Sequence, residues 1–228
     1  MFTGIVQGVA RVAALREAAG LRSFRLDFAP GFTDGLAVGA SVAVDGVCLT
    51  VTALHGHDGA DFDVMQQTLA VTTLGNLTAG SRTNVERAAK DGAEIGGHPL
   101  SGHIDFTAQL TELRQPENNQ ALRFAVPAPW MRYVFAKGYI AVAGASLTVA
   151  EAGREEGRET GGAGWFEVWL IPETLRTTTF GDKRVGDSVN IEIERSTQVM
   201  VDTVREAVAD KLGPLLPALE AFARERGL

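Results

Sequence analysis

The sequence predicts a mainly β protein: two tandem copies of one small closed antiparallel barrel, followed by a C-terminal α-helix. Three observations carry that prediction. The chain repeats itself in order, its apolar residues alternate with period two between glycine-bearing turns, and helical spacing shows only near the end.

The repeat is read from three aligned places. GASVAVDGVCLTV (39–51) aligns with KGYIAVAGASLTV (137–149) at an offset of 98, with six of 13 positions identical. At the same offset TGIV (3–6) faces SGHI (101–104), so Gly4 matches Gly102. Further on, TLAVTTLGNLTAGSRTNVE (68–86) aligns with TLRTTTFGDKRVGDSVNIE (174–192) at an offset of 106, with eight of 19 positions identical. The offset grows because the second copy carries a polar, Gly-rich insertion, EAGREEGRETGGAG (151–164). The predicted organisation is a first barrel with linker over 1–97, a second barrel over 98–195 and a helical segment over 196–228.

Within each copy the local pattern is β. SVAVDGVCLTVTAL, DFDVM and GYIAVAGASLTVA alternate and are rich in Val, Thr and Leu. Short spacing between Gly-containing turns favours a closed antiparallel barrel over a parallel sheet, and no strand–helix alternation is visible. After Ser196, Val201, Val204, Val208 and Leu212 recur at helical spacing until Pro214, and a second short helix is expected from Leu215 to Arg226. This apolar stripe belongs to neither repeat, so it is expected to be buried on a barrel or on another subunit.

Composition narrows the function classes. Lys+Arg 21 against Asp+Glu 28 leaves −7, which disfavours nucleic acid and an anionic membrane surface as partners. Cys48 is the single cysteine, so no intrachain disulfide framework exists, and a free thiol fits a reducing cytoplasm. The start MFTGIVQGVARVAALREAAG lacks the pattern of a signal peptide, and the apolar run 137–151 is broken by Gly138 and Gly144. A cytoplasmic location is expected.

Two similar domains can present two similar pockets, which suits an enzyme that binds two copies of one molecule; duplication for stability alone is the other reading. The copies differ where it matters. Cys48 in the first becomes Ser146 in the second, and Ile5 becomes His103. Pockets alike in backbone but unlike in reactive groups can assign two identical ligands different roles. Taken singly, these residues have plain readings too: Cys48 as a small buried apolar side chain, Ser146 bonded to local backbone, Thr50 and Thr148 as strand formers, Phe2 as core, Lys137 as a solvated charge. His98 and His103 form an H-x4-H pair with few other ligand candidates nearby, so no metal is expected; His55 and His57 lie in a turn.

The opening MFTGIVQG, the pair DGVCLTV and GASLTV, the linker ERAAKDGAEIGGHPLSGHID, and LIPETL followed by VNIEIE resemble the α-type riboflavin synthases, from Met1 to about residue 208. The resemblance implies two six-stranded Greek-key barrels and a C-terminal helix, assembled as a homotrimer with each active site shared between subunits. It implies dismutation of two 6,7-dimethyl-8-ribityllumazine molecules to riboflavin and 5-amino-6-ribitylaminouracil by four-carbon transfer, with no cofactor. It further implies catalytic roles for Cys48, Ser146, His103 and Phe2, the last as a stacking residue, with His98 as a supporting residue. Substrate contacts are implied for Gly4, Ile5 and Val6, for Ser41, Leu49 and Thr50, and for Asp63, Val64, Met65, Gln66, Gln67 and Thr68. In the second copy they fall on Gly102 and Ile104, on Lys137, Leu147 and Thr148, and on Leu170, Ile171, Pro172, Glu173, Thr174 and Leu175.

Three positions depart from that pattern. Gln67 stands where Glu is usual, Ala143 where an acid is usual, and Glu194 where Asp is common. They leave open a non-catalytic paralogue that binds lumazine or flavin. A flavin reductase of similar barrel architecture finds no support, because no G-x-G-x-x-G follows a strand.

Overall fold

The computed structural model describes residues 1–18, 20–154 and 162–215, together with Phe222, Arg224 and Arg226. Part of the Gly-rich insertion 151–164, and most of the second terminal helix expected from Leu215 to Arg226, lie outside the described residues.

Twelve strands form two closed barrels. The first contains β1 (Gly8–Ala18), β2 (Leu21–Asp27), β3 (Ser41–Val44), β4 (Val47–His55), β5 (Gly59–Met65) and β6 (Arg82–Arg87). The second contains β7 (Phe106–Arg114), β8 (Gln120–Val126), β9 (Tyr139–Val142), β10 (Ala145–Arg154), β11 (Gly164–Leu170) and β12 (Ser188–Ile193). The first closes in the order β1-β2-β5-β4-β3-β6, and the second, entered at β7, closes in the same Greek-key order. All pairings are antiparallel. Each barrel carries a short helix after its fifth strand, α1 (Gln66–Val71) and α2 (Pro172–Thr177).

The alternation in the sequence is the reason for these barrels. On β2 Phe24 and Leu26 point inward while Arg25 and Asp27 face out, and Phe62 and Val64 of β5 complete the same core. In the second copy Phe124 and Phe166 lie 5.3 Å apart inside the barrel. Fully burying each such side chain stabilises the fold by about 1.5–3 kcal/mol before entropy is counted. Register shifts recur at matched places, Val12/Ala14 with Leu110/Glu112 and Val51/Ala53 with Val149/Glu151. These bulges add the twist that a six-stranded sheet needs to close.

The β3–β4 and β9–β10 hairpins turn through two residues with positive φ: Asp45 and Gly46 at 44° and 84°, Ala143 and Gly144 at 45° and 82°. Such turns match strand twist and favour Asp-Gly, so Ala143 carries a strain that Asp45 does not. The two glycines meet back to back. A Cβ on either would lie 2.8 Å from the other's backbone nitrogen.

α3 (Arg195–Leu212) forms a unit distinct from residues 1–194. It begins one residue earlier than the spacing predicts. Its exposed apolar stripe runs Met200, Val204, Val208 and Leu212, whereas Val201 is half-buried. No helix among the described residues is long and apolar enough to cross a membrane.

Candidate functional site

The segment preceding each barrel's first strand crosses to the other barrel. Phe2 and Leu100 form a two-way antiparallel bridge, with N–H to O=C distances of 2.8 and 2.9 Å. Beyond it, Ser146 N–H donates to the Gly4 carbonyl at 2.8 Å, and Cys48 N–H donates to the Gly102 carbonyl at 2.9 Å. A buried glutamate at the end of each barrel holds the crossing strand. Glu86 accepts from Thr3 N–H (2.6 Å), Thr3 Oγ1 (2.8 Å) and Gly4 N–H (3.0 Å). Glu192 accepts from Ser101 N–H (2.7 Å), Ser101 Oγ (2.7 Å) and Gly102 N–H (3.0 Å). Burial raises the Glu86 carboxyl, and the Thr3 and Gly4 donors oppose that rise.

Asparagines complete the exchange. Asn84 donates to the Ala143 carbonyl and accepts from Thr179 N–H, while Asn190 donates to the Asp45 carbonyl and accepts from Thr73 N–H, at 2.7–2.9 Å. The two barrels are therefore related by a pseudo-twofold axis through the Gly46–Gly144 contact.

Glycine is required at the crossing points. Gly4 and Gly102 have φ of 76° and 78°, and a Cβ would come within 2.5 Å of Ser146 Cβ and 2.6 Å of Cys48 Cβ. The crossings thus set the Gly102 segment of the second copy against Cys48 of β4, and the Gly4 segment of the first against Ser146 of β10.

The two crossings share backbone and differ in chemistry. Ser146 Oγ lies 2.6 Å from His98 Nδ1, and the imidazole stacks on Tyr139 at 5.2 Å. His98 is 3% exposed and its Nε2 is buried with no hydrogen-bond partner among the described residues. Burial lowers the His98 pKa below its ordinary value, against the pull of the Glu194 charge, so the ring is neutral at neutral pH. In the tautomer protonated at Nε2, the neutral imidazole accepts at Nδ1 from the Ser146 hydroxyl, a geometry that allows proton uptake. Among the described residues no histidine is hydrogen-bonded to the Cys48 thiol. Cys48 is half-buried, at the edge of a seam formed by Phe2, Ala43, Leu100 and Ala141.

Other expected residues divide by the pleat. Thr50, Asp63, Met65, Gln66 and Gln67 line the exposed face of the first barrel, with Ser41 and Thr68 half-buried. Asp63 accepts from Ser23 Oγ at 2.5 Å. Thr148, Ile171, Pro172 and Glu173 are exposed on the second, with Leu147, Thr174 and Leu175 half-buried. Glu173 pairs with Arg176 at 2.6 Å. Ile5 and His103 are exposed, and Val6 and Ile104 are half-buried. Lys137 is exposed, with φ of 67° and its N–H donated to the Val149 carbonyl.

Four of the expected residues have buried side chains. Leu49, Val64 and Leu170 point into the barrel cores, at 6%, 1% and 0% exposure, so only their backbones face outward. Phe2 is 1% exposed within the seam. Sequence reasoning also understated His98. It lies outside the aligned repeat, so comparing the copies could not pair it with Ser146. Glu86 and Glu192 were visible as a repeated identity, but not as clamps.

Known proteins match this arrangement. The lumazine binding domain family matches residues 3–88 and 101–194. A riboflavin synthase of Escherichia coli (strain K12) is 45% identical over 210 residues, covering 92% of this chain and 94% of that one. A riboflavin synthase of Mycobacterium bovis (strain ATCC BAA-935 / AF2122/97) is 40% identical over 208 residues, covering 91% and 100%. Among solved structures, LumP complexed with riboflavin superposes with a TM-score of 0.74 at 23% identity, covering 86% of this chain and all of LumP. LumP complexed with 6,7-dimethyl-8-(1'-D-ribityl) lumazine gives 0.72 at 22%. At that identity the likeness is one of fold.

Proposed function

The chain belongs to the riboflavin synthases of the lumazine-binding domain family, and from that premise we propose how its two pockets carry out the family's reaction. Two molecules of 6,7-dimethyl-8-ribityllumazine bind, one against each barrel, and a four-carbon unit passes from one to the other. Riboflavin and 5-amino-6-ribitylaminouracil leave. The observation that carries this reading is the pair of crossings, alike in backbone and unlike in reactive groups, with Cys48 at one and Ser146–His98 at the other. LumP, of the same fold, is captured with both the lumazine and riboflavin.

The chemistry asks for a modest base and for hydrogen-bond donors. The lumazine C7 methyl is acidic because its anion delocalises into the ring. In this reading Ser146 Oγ relays that proton to His98 Nδ1, the ring being the tautomer protonated at Nε2; their 2.6 Å contact supports it. Negative charge then develops on the pyrimidine ring, where pocket N–H and hydroxyl donors stabilise it. In the other pocket, Cys48 is the side chain available to attack C7 or to orient the nucleophile that does. One lumazine supplies the carbons that the other gains, so the reaction balances without a cofactor.

The reading extends to assembly and location. The exposed stripe Met200, Val204, Val208 and Leu212 supports a homotrimer built through α3, with each active site pairing the first barrel of one subunit and the second of its neighbour. The single free thiol supports a cytoplasmic location. The test is to incubate the purified chain with the lumazine as sole substrate and follow absorbance. Riboflavin absorbance appears with time; a spectrum shifted at once by binding, then constant, would make the protein a carrier instead.

A further inference from the structure

The outer face of the second barrel carries an indole whose placement the proton-transfer chemistry does not explain. On β11 the side chains alternate: Phe166, Val168 and Leu170 are fully buried in the core, while Trp169 is 48% exposed. The other two tryptophans are covered. Trp130 stacks on Phe106 at 5.5 Å, and Trp165 lies beneath the Arg123 guanidinium at 4.0 Å.

Trp169 is exposed but anchored. Its Nε1–H donates to Glu167 Oε1 at 2.9 Å. Glu167 is 3% exposed, and its other oxygen is held by Arg114 and Arg123, both of which also pair with Glu112. Burial alone would raise the Glu167 carboxyl, but Arg114, the indole N–H and Arg123 together hold it below the ordinary value, so it stays an acceptor. An aromatic face kept in water by an ionic network centred on the buried Glu167 is pre-organised for something outside the fold.

Register says where that face lies. The β10–β11 ladder ends at the Val149–Val168 pair, and Thr148 and Trp169, the next residue of each strand beyond it, are both exposed, with Ser146 two residues from Thr148 on the same strand. The same construction in the first barrel pairs Val51 with Phe62 and leaves Thr50 and Asp63 as the next residues beyond that pair. One pocket thus presents a carboxylate where the other presents an indole.

We propose that Trp169 is the stacking surface of the second pocket, on which the ring system of bound lumazine or riboflavin lies. This rests on the lumazine reading above and adds a determinant specific to one of the two sites. Asp63 offers hydrogen bonds where Trp169 offers a π face, so the two sites hold the same molecule with different strength and orientation.

The test titrates the full chain with riboflavin, following ligand fluorescence, and assays lumazine turnover on the same preparations. Trp169→Leu keeps apolar bulk but removes the π face. It weakens one class of site about 5- to 100-fold and leaves the other unchanged. Trp169→Phe stays within about threefold of the unmodified chain, yet relieves quenching of the bound flavin, because indole is the stronger electron donor. Trp169→Leu binding as tightly as the unmodified chain at both classes overturns the proposal while leaving the enzyme reading intact. An unmodified chain that neither binds riboflavin nor converts lumazine overturns both.

Discussion

Asp45→Asn is expected to stabilise the protein, and only above mildly acidic pH. Asp45 is 6% exposed in the β3–β4 turn, where its Oδ1 accepts from Asn84 N–H at 2.8 Å. Burial pushes its carboxyl from the ordinary 3.8 up to about 6, against the Asn84 bond and the Lys183 charge. The folded state therefore holds the proton more tightly than the unfolded one. The stability linked to that proton is fully present below 3.8 and is lost as pH rises through about 6. At about 1.4 kcal/mol per pH unit of displacement, the loss above pH 6 is about 3 kcal/mol. Asparagine keeps the acceptor oxygen and tolerates the positive φ of 44°, but never ionises. The second copy manages with Ala143 at the same place, so the charge is not needed for the turn. At about 2–4 °C per kcal/mol for a chain of this size, Tm should rise by about 6–12 °C near pH 7.5 and by little near pH 4. Calorimetric melts at the two pH values give the comparison. An equal gain at both, or a lower Tm near pH 7.5, would refute the burial argument.

Further outcomes follow from the pockets and the helix. Ser146→Ala and Cys48→Ala should lower kcat/KM by different factors, because only Ser146 has a histidine partner; equal losses in steady-state assays would remove the case for unlike pockets. The acidic limb of kcat should lie below the ordinary histidine value of 6.5, since burial holds His98 neutral, and His98→Gln should flatten that limb in a pH–rate profile. Gly102→Ala should lower Tm by several degrees and cost activity, because its Cβ would meet Cys48 at 2.6 Å; a fully active variant with unchanged Tm would contradict the crossing geometry. Val204→Asp with Val208→Asp should yield a monomer of low activity in light-scattering and assay of one sample, and a fully active monomer would exclude shared sites.

What could be read in advance was what repeats or alternates. The 98-residue offset predicted two copies of one fold, and alternation in SVAVDGVCLTV placed β3 and β4. The spacing of Val204, Val208 and Leu212 placed α3, and the alignment set Cys48 at the position that Ser146 holds in the second copy. What alternation cannot express is exchange between copies. A bond from Ser146 to Gly4 spans most of the chain and is set by barrel closure, not by local pattern. Phe2 is open to reading as core or as a stacking residue, and its bridge to Leu100 and its burial are set by the crossing rather than by local pattern. His98 read as support, because its importance depends on a serine 48 positions away. Trp169 sits one residue before LIPETL and outside any repeated identity, so only its exposure and its bond to Glu167 draw it out.

The most direct test of two unlike pockets acting on one molecule is the stoichiometry of a quenched time course with the lumazine as sole substrate. Chromatographic counting should find two lumazines consumed for each riboflavin formed, with one 5-amino-6-ribitylaminouracil released alongside. Riboflavin formed one-for-one from lumazine, or lumazine consumed without the aminouracil, would contradict the account.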